Sequence, residues 1–284
     1  MTGRGIGLGK LILCGEHAVV YGHPALAMAV DLATEVTLDS IDGPTTIDVE
    51  TDHRLARAIR LVVPDTGVEI RIASSIPIGR GMGSSAALAV ALVRALADAR
   101  GEPAPDADEV FARAMPIEEV FHGNPSGLDV AVSARGGVIR YRRAEPPIID
   151  PIGQTPAGEI VVLDSGLVGN TAELVASVAA QRPEVDPILE RIGAIADAAL
   201  YNLYNPPALG ELLAENHVLL RKIGVSTPEL DDLVVLAREA GAYGAKLAGA
   251  GGGGVVIALT DNADPILEAA AVRGIPAIRC VGAE

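Results

Sequence analysis

The chain has 284 residues, room for one large domain or two ordinary ones, and 49% of them are hydrophobic, which supplies a Leu/Val/Ile/Ala core. A formal net charge of −15 argues against a general nucleic-acid or anionic-membrane surface, and 2% aromatic residues with no Trp argue against a stacking platform for single strands. An anionic ligand must therefore meet positive charge locally.

In chain order, "GLGKLILCGE" (7–16) and "TEVTLDS" (34–40) read as strands, the second by its period of two. "RLARAIRLVV" (54–63) has helical spacing, and "VEIRIA" (68–73) alternates like a half-buried strand. A glycine loop follows, then an Ala/Leu/Val helix from about Ser85. "DADEVFARAMPIEEVFHG" (106–123) reads as a helix interrupted or restarted at Pro116, and "GGVIRY" (136–141) as a short strand. The Pro-rich patch "AEPPIIDPIGQTPAG" (144–158) is the linker candidate, dividing the chain into domains 1–154 and 155–284. Beyond it come a strand "EIVVLDS", helical patterns over 172–223 stopped by Gly224, and a Ser/Thr-capped helix ending at Gly241. The strands "YGAKLAG" and "GVVIALT", a helix near 264–273 and a last strand "PAIRCV" complete an α+β pattern.

Cys14 and Cys280 lack metal-ligand spacing and read as reduced structural thiols. The N-terminus has no signal-peptide pattern and no apolar run reaches the ~20 residues of a membrane span, so a cytoplasmic location without a membrane partner is expected. Of the 22 basic residues only Lys10, Lys222 and Lys246 are lysines.

Three segments concentrate glycine. "GRGMGSSAA" (79–87) places flexible residues at the start of a helix, where free N–H groups and the positive dipole end form an anion site. Its spacing is neither the Walker nor the Rossmann pattern, so a phosphate loop and a tight turn with a Ser cap both fit. "GLGKLILCGEHAVVYG" (7–22) sets Lys10, Glu16 and His17 around an apolar strand. "KLAGAGGGGVVIAL" (246–259) puts four glycines between strands, a tight loop whose backbone something approaches closely. Between these, the turn Asn124-Pro125-Ser126-Gly127 delivers Asp129, which reads as a general base, a metal ligand or a helix cap. Glu118 and Glu119 end a helical stretch, where one can face a metal and the other solvent.

Taken together, "GKLILCGEHAVVYG", "PIGRGMGSSAA", "HGNPSGLD" and the late glycine run resemble the GHMP kinases, over the chain from Lys10 to Gly254. The likeness is greatest to those members that phosphorylate mevalonate. It implies two domains, an N-terminal ribosomal-protein-like α/β domain and a C-terminal ferredoxin-like one. It implies ATP-dependent phosphorylation of the 5-hydroxyl of mevalonate, with ATP and Mg²⁺ as cofactors; a homodimer is a candidate assembly that the sequence itself does not specify. By motif, Asp129 would accept the hydroxyl proton, with Lys10 beside it. Gly79, Gly81, Met82, Gly83, Ser84 and Ser85 would wrap the triphosphate. Ser85 and Glu118 would hold Mg²⁺, while Glu16, His17, Thr171 and Gly249 would face the acceptor. A phosphorylated acceptor or a sugar is the alternative, and the first would call for extra Lys or Arg that the sequence does not place. A sensor without catalysis would be expected to lose Asp129 or Lys10, and this chain keeps both.

Overall fold

The structure is a computed structural model that describes residues 2–50, 52–153 and 155–283. The chain divides into two compact units. One holds the chain up to Lys10, Ala29–Pro77 and Gly83–Gly136; the other holds Leu11–Met28, Ile78–Met82 and everything from Gly137 on. The second unit thus takes up two early segments as well as the C-terminal half. The expected boundary at residue 154 falls on a position outside the described residues.

In the first unit run the opening of β1 (Thr2–Cys14), most of β2 (Pro24–Pro44), β3 (Thr46–Ile47), α1 (His53–Arg60), β4 (Thr66–Ser74), α2 (Ser84–Ala99), α3 (Ala107–His122) and α4 (Leu128–Arg135). The later part of β2 pairs antiparallel with β4, from Thr34 opposite Ser74 to Ser40 opposite Val68. The core lies between Val36, Leu38 and Ile70 of these strands and the buried residues of α2, among them Ala89, Val90 and Leu92. Glycine sets how closely α2 approaches β1. A Cβ on Gly3, Gly5 or Gly7 would run into the carbonyl oxygen of Ala95, Ala91 or Ala87. Alternate strand residues share a face, and so do every fourth helix residue. Two strand residues rise about 6.6 Å and four helix residues about 6 Å, so the two rows stay in step.

α3 corrects one expectation. It runs without a break from the Asp106 cap, whose side chain accepts from Glu109 N, through Pro116 to His122. Proline removes one amide donor from the ladder. Val110, Ala114 and Ile117 bury the same face of α3 in the core on both sides of it, and that packing holds the helix continuous.

In the second unit the start of β2 pairs with β5 (Val138–Arg142), Ala25 opposite Tyr141, and β5 pairs with β6 (Ile148–Pro151). The Pro-rich stretch is therefore in part a strand and not purely a linker. β6 lies at the sheet's edge and ends on Pro151, where a missing amide donor is tolerated. Then come β7 (Glu159–Asp164), α5 (Thr171–Ala180), α6 (Asp186–Tyr201), α7 (Pro206–Lys222), α8 (Pro228–Glu239), β8 (Gly244–Ala248), β9 (Val255–Thr260), α9 (Asp264–Val272) and β10 (Ala277–Cys280). Their strands form an antiparallel sheet in the order β10-β7-β9-β8, the split order of a ferredoxin-like domain, as expected. Among the described residues no helix is long and apolar enough to cross a membrane.

Candidate active site

In the first unit, β1 carries Lys10 into the interior. Its Nζ lies 3.1 Å from Asp129 Oδ1, with the lysine side chain 3% exposed and the aspartate 32%. Asp129 stands in the first turn of α4 because Gly127 caps that helix in the left-handed conformation, φ 88°, after the Asn-Pro-Ser turn. Gly83 is left-handed too, φ 79°, and a Cβ there would meet Lys10 Cγ at 2.9 Å. Glycine at 83 thus lets the lysine stem pass the foot of α2.

Ser84 and Ser85 open α2. Ser85 Oγ donates to Glu118 Oε1 at 3.0 Å and lies 3.1 Å from His122 Nε2, which is 3.4 Å from the same Glu118 oxygen. Glu118 is buried and its Oε2 has no hydrogen-bond partner. Burial, and then the negative charge of Asp129, push its carboxyl up to about 8 against the pull of Ser85 and Lys10. Burial pushes the His122 imidazole down. His122 escaped the sequence reading, although its i+4 spacing from Glu118 puts both on one helical face. Glu119 takes no part in this cluster.

In the second unit, Arg80 pairs with Asp164 at 3.0 Å and donates from Nη1 to Leu167 O at 2.6 Å. Gly81 passes the backbone of β8 and Gly249 so closely that a Cβ would stand 3.1 Å from Ala248 O. Met82 is buried. The glycine run after β8 is packed by backbone, as its sequence required: a Cβ on Gly254 would meet Arg80 O at 2.9 Å, and Gly254 N donates to Leu167 O. Gly79 is left-handed, φ 73°, and Thr171 is the exposed first residue of α5, after its Asn170 cap.

Glu16 sits differently from a residue open to an acceptor. It is 1% exposed, its Oε1 accepts from Lys246 Nζ and its Oε2 from Asn216 Nδ2 at 3.0 Å. His17 beside it is buried, and its Nε2 donates to Ala250 O at 2.8 Å.

The model of the GHMP kinases N-terminal domain matches residues 52–137, and that of the GHMP kinases C-terminal region matches residues 198–274. A mevalonate kinase of Pyrococcus abyssi is 39% identical, covering 88% of this chain and 86% of its own. The chain belongs to the GHMP kinase family. Among solved structures, L. major mevalonate kinase in complex with R-mevalonate aligns with a TM-score of 0.88 at 30% identity, covering 100% of this chain and 97% of that one. Methanococcus jannaschii mevalonate kinase aligns with a TM-score of 0.84 at 26% identity, covering 99% and 98%. In a GHMP kinase the Lys10–Asp129 pair and the Ser85–Glu118 cluster are the chemically equipped groups of the first unit. They offer a carboxylate that can take a proton, a confined ammonium, and an unsatisfied carboxylate oxygen at a helix N-terminus.

Proposed function

We propose that the protein transfers the γ-phosphoryl group of ATP to the 5-hydroxyl of mevalonate, giving 5-phosphomevalonate and ADP. The observation that carries this reading is the ion pair of Lys10 and Asp129, one partner buried and the other open, beside the N-terminus of α2. Asp129 accepts the acceptor's hydroxyl proton as the oxygen bonds to the γ-phosphorus and the bond to the β–γ bridging oxygen breaks. Lys10 holds the Asp129 carboxylate in place and sets positive charge beside the transferred group. The free amides at the start of α2, reached through Gly83, Ser84 and Ser85, receive phosphate oxygens, with Gly79, Gly81 and Met82 completing the loop. His17, Gly249 and the exposed Thr171 are proposed at the acceptor end.

The residues fit Mg²⁺. Glu118 keeps a buried oxygen without a partner and a strongly raised carboxyl, and Ser85 adds a hydroxyl to the same cluster. A hard cation takes oxygen ligands of this kind, one or two from protein and the rest from phosphate and water. Bound there, Mg²⁺ would neutralise charge on the β- and γ-phosphates.

An ADP-release assay with mevalonate, phosphomevalonate, homoserine, galactose and shikimate tests the reading. The highest kcat/KM is expected with mevalonate. A higher value with any other acceptor overturns the substrate and leaves the kinase, and no turnover with any acceptor overturns both.

A further inference from the structure

Two of the chain's three lysines are interior, and Lys246 has no part in the chemistry above. It stands in the middle of β8 at 0% exposure. An ammonium has three protons to place. Here they meet three acceptors: Glu16 Oε1, Leu247 O at 2.5 Å and Ile12 O at 3.4 Å. A guanidinium, planar and forked, does not fit such a nest, which accounts for a lysine here in a chain that has only three among its 22 basic residues. The second Glu16 oxygen is taken by Asn216 of α7, so the carboxylate is held from two sides.

The next residue shows what this holding achieves. His17 is the only non-glycine residue with positive φ among the described residues, φ 61° and ψ −46°. Such a backbone persists only where its surroundings over-determine it, and such residues gather at ligand sites. On one side of His17 the chain is fixed by the buried Glu16–Lys246–Asn216 cluster. On the other, the His17 ring donates to Ala250 O, four residues beyond Lys246 on the same strand and loop. Lys246 and Ala250 thus clamp Glu16 and His17 at two successive points. A buried ion pair is weak evidence for stability, since apolar replacements of both partners often do as well.

We propose that Lys246 and Glu16 are positioning residues: their buried ion pair fixes the backbone and ring of His17 for acceptor binding, and Glu16 itself does not touch the acceptor. This rests on the reading of the protein as a mevalonate-phosphorylating enzyme with His17 at the acceptor end.

The test replaces both charges together, Lys246→Met with Glu16→Gln, so that no buried charge is left alone. In the folded variant the KM for mevalonate should rise about 10-fold with the KM for ATP within about 2-fold, the pattern of lost acceptor binding. His17→Ala should raise the acceptor KM similarly, and the triple variant should be no worse than either. Multiplying effects, or an unchanged acceptor KM, overturn the proposal. A second readout needs no acceptor. Nitrogen NMR of the unliganded wild type should show His17 in the single Nε2–H tautomer, and the paired variant should show both tautomers. A wild-type ring that already samples both, or a variant ring that stays fixed, overturns the proposal. Should the paired variant fail to fold, Asn216→Ala removes only one restraint on Glu16 and carries the same tautomer readout, an unchanged ring again overturning it. If the wild type leaves mevalonate unphosphorylated, the acceptor reading fails, and the tautomer measurement still decides the role of Lys246.

Discussion

The carboxylate of Asp129 is about one-third exposed while its partner Lys10 is almost wholly buried, an asymmetry suited to a base that must meet a substrate. Asp129→Asn keeps the shape and cannot accept a proton. Its kcat should fall by ~10²–10⁴-fold, the usual worth of general-base assistance. Affinity for Mg·ATP should stay, because Ser85, Glu118 and the α2 amides remain. A near-normal kcat in steady-state assays would return Asp129 to a helix-capping role, and a large loss of nucleotide affinity would make it a metal ligand. Lys10→Arg tests the other partner. Its Nζ lies 3.1 Å from Asp129 Oδ1, and a planar, forked guanidinium cannot take the place of a compact ammonium at that carboxylate without shifting one of the two groups. The expected loss in kcat is on the order of 10²-fold, as for small misplacements near the chemistry. Lys222→Arg, exposed in the last turn of α7, is the control and should be silent in the same assay. At this scale Lys10, Ser85 and Asp129 stand out in the sequence because each lies in a motif with its glycines, whereas only the resemblance separates Glu118 from its neighbour Glu119. Lys246 and Asn216 were not legible as partners of Glu16. Their meeting depends on β8 and α7 folding back over a segment some 200 residues earlier, and no local spacing records that.

At the scale of elements, period and punctuation revealed most strands and helices, and the failures have physical causes. The first half of β2 was missed because Ala25–Val30 is buried throughout, and a continuous apolar run carries no alternation. The Pro116 break was expected from local chemistry and overridden by packing. The Gly3, Gly5, Gly7 row had a readable period of two, but its meaning lay in the alanines of α2, some 85 residues away. That contact gives a prediction. Gly5→Ala should force α2 off β1, because the obstacle is the backbone carbonyl of Ala91, which no rotamer change can move. Overpacking of this kind costs about 1–3 kcal/mol, read as a shift in the denaturant midpoint at unchanged m. Since α2 begins with Ser84 and Ser85, the KM for ATP should rise as well. A variant with wild-type stability would mean that β1 and α2 are less tightly packed than the glycine row requires.

Across the whole molecule, two buried titratable groups make stability depend on pH in opposite directions. Glu118 has a raised carboxyl, so the folded state holds its proton longer, and stability is lost as pH rises from 4.5 to about 8. His217 on α7 does the reverse. Burial is the first cause of its lowered value, about 4 against an ordinary 6.5, with Lys246 and Arg221 adding to it and Asp231 opposing. The geometry explains why burial wins. Leu247 N donates to Nδ1 at 3.3 Å, so that nitrogen is bare, and Nε2 faces Asp231 at 3.0 Å as the donor. A second proton would set Nδ1–H against an amide N–H. Asp231 is already engaged by Ser226 Oγ at 2.7 Å and Arg221 Nε at 2.8 Å, which spend part of its charge. The unfolded chain therefore binds the extra proton first, and stability is lost as pH falls from 6.5 toward 4. The interval from 6.5 to about 4 converts to about 3 kcal/mol at its full extent. His217→Gln keeps a donor for Asp231 and an acceptor for Leu247 N without titrating, and leaves Glu118 unchanged. The melting temperature of the wild type should therefore fall relative to that of the variant as the pH drops from 6.5 toward 4, because the wild type carries a proton-linked loss that the variant lacks. Melting temperatures that stay parallel between pH 6.5 and 4 would show that His217 takes up its proton in the folded protein at no penalty, and that the Leu247 hydrogen bond does not fix its tautomer.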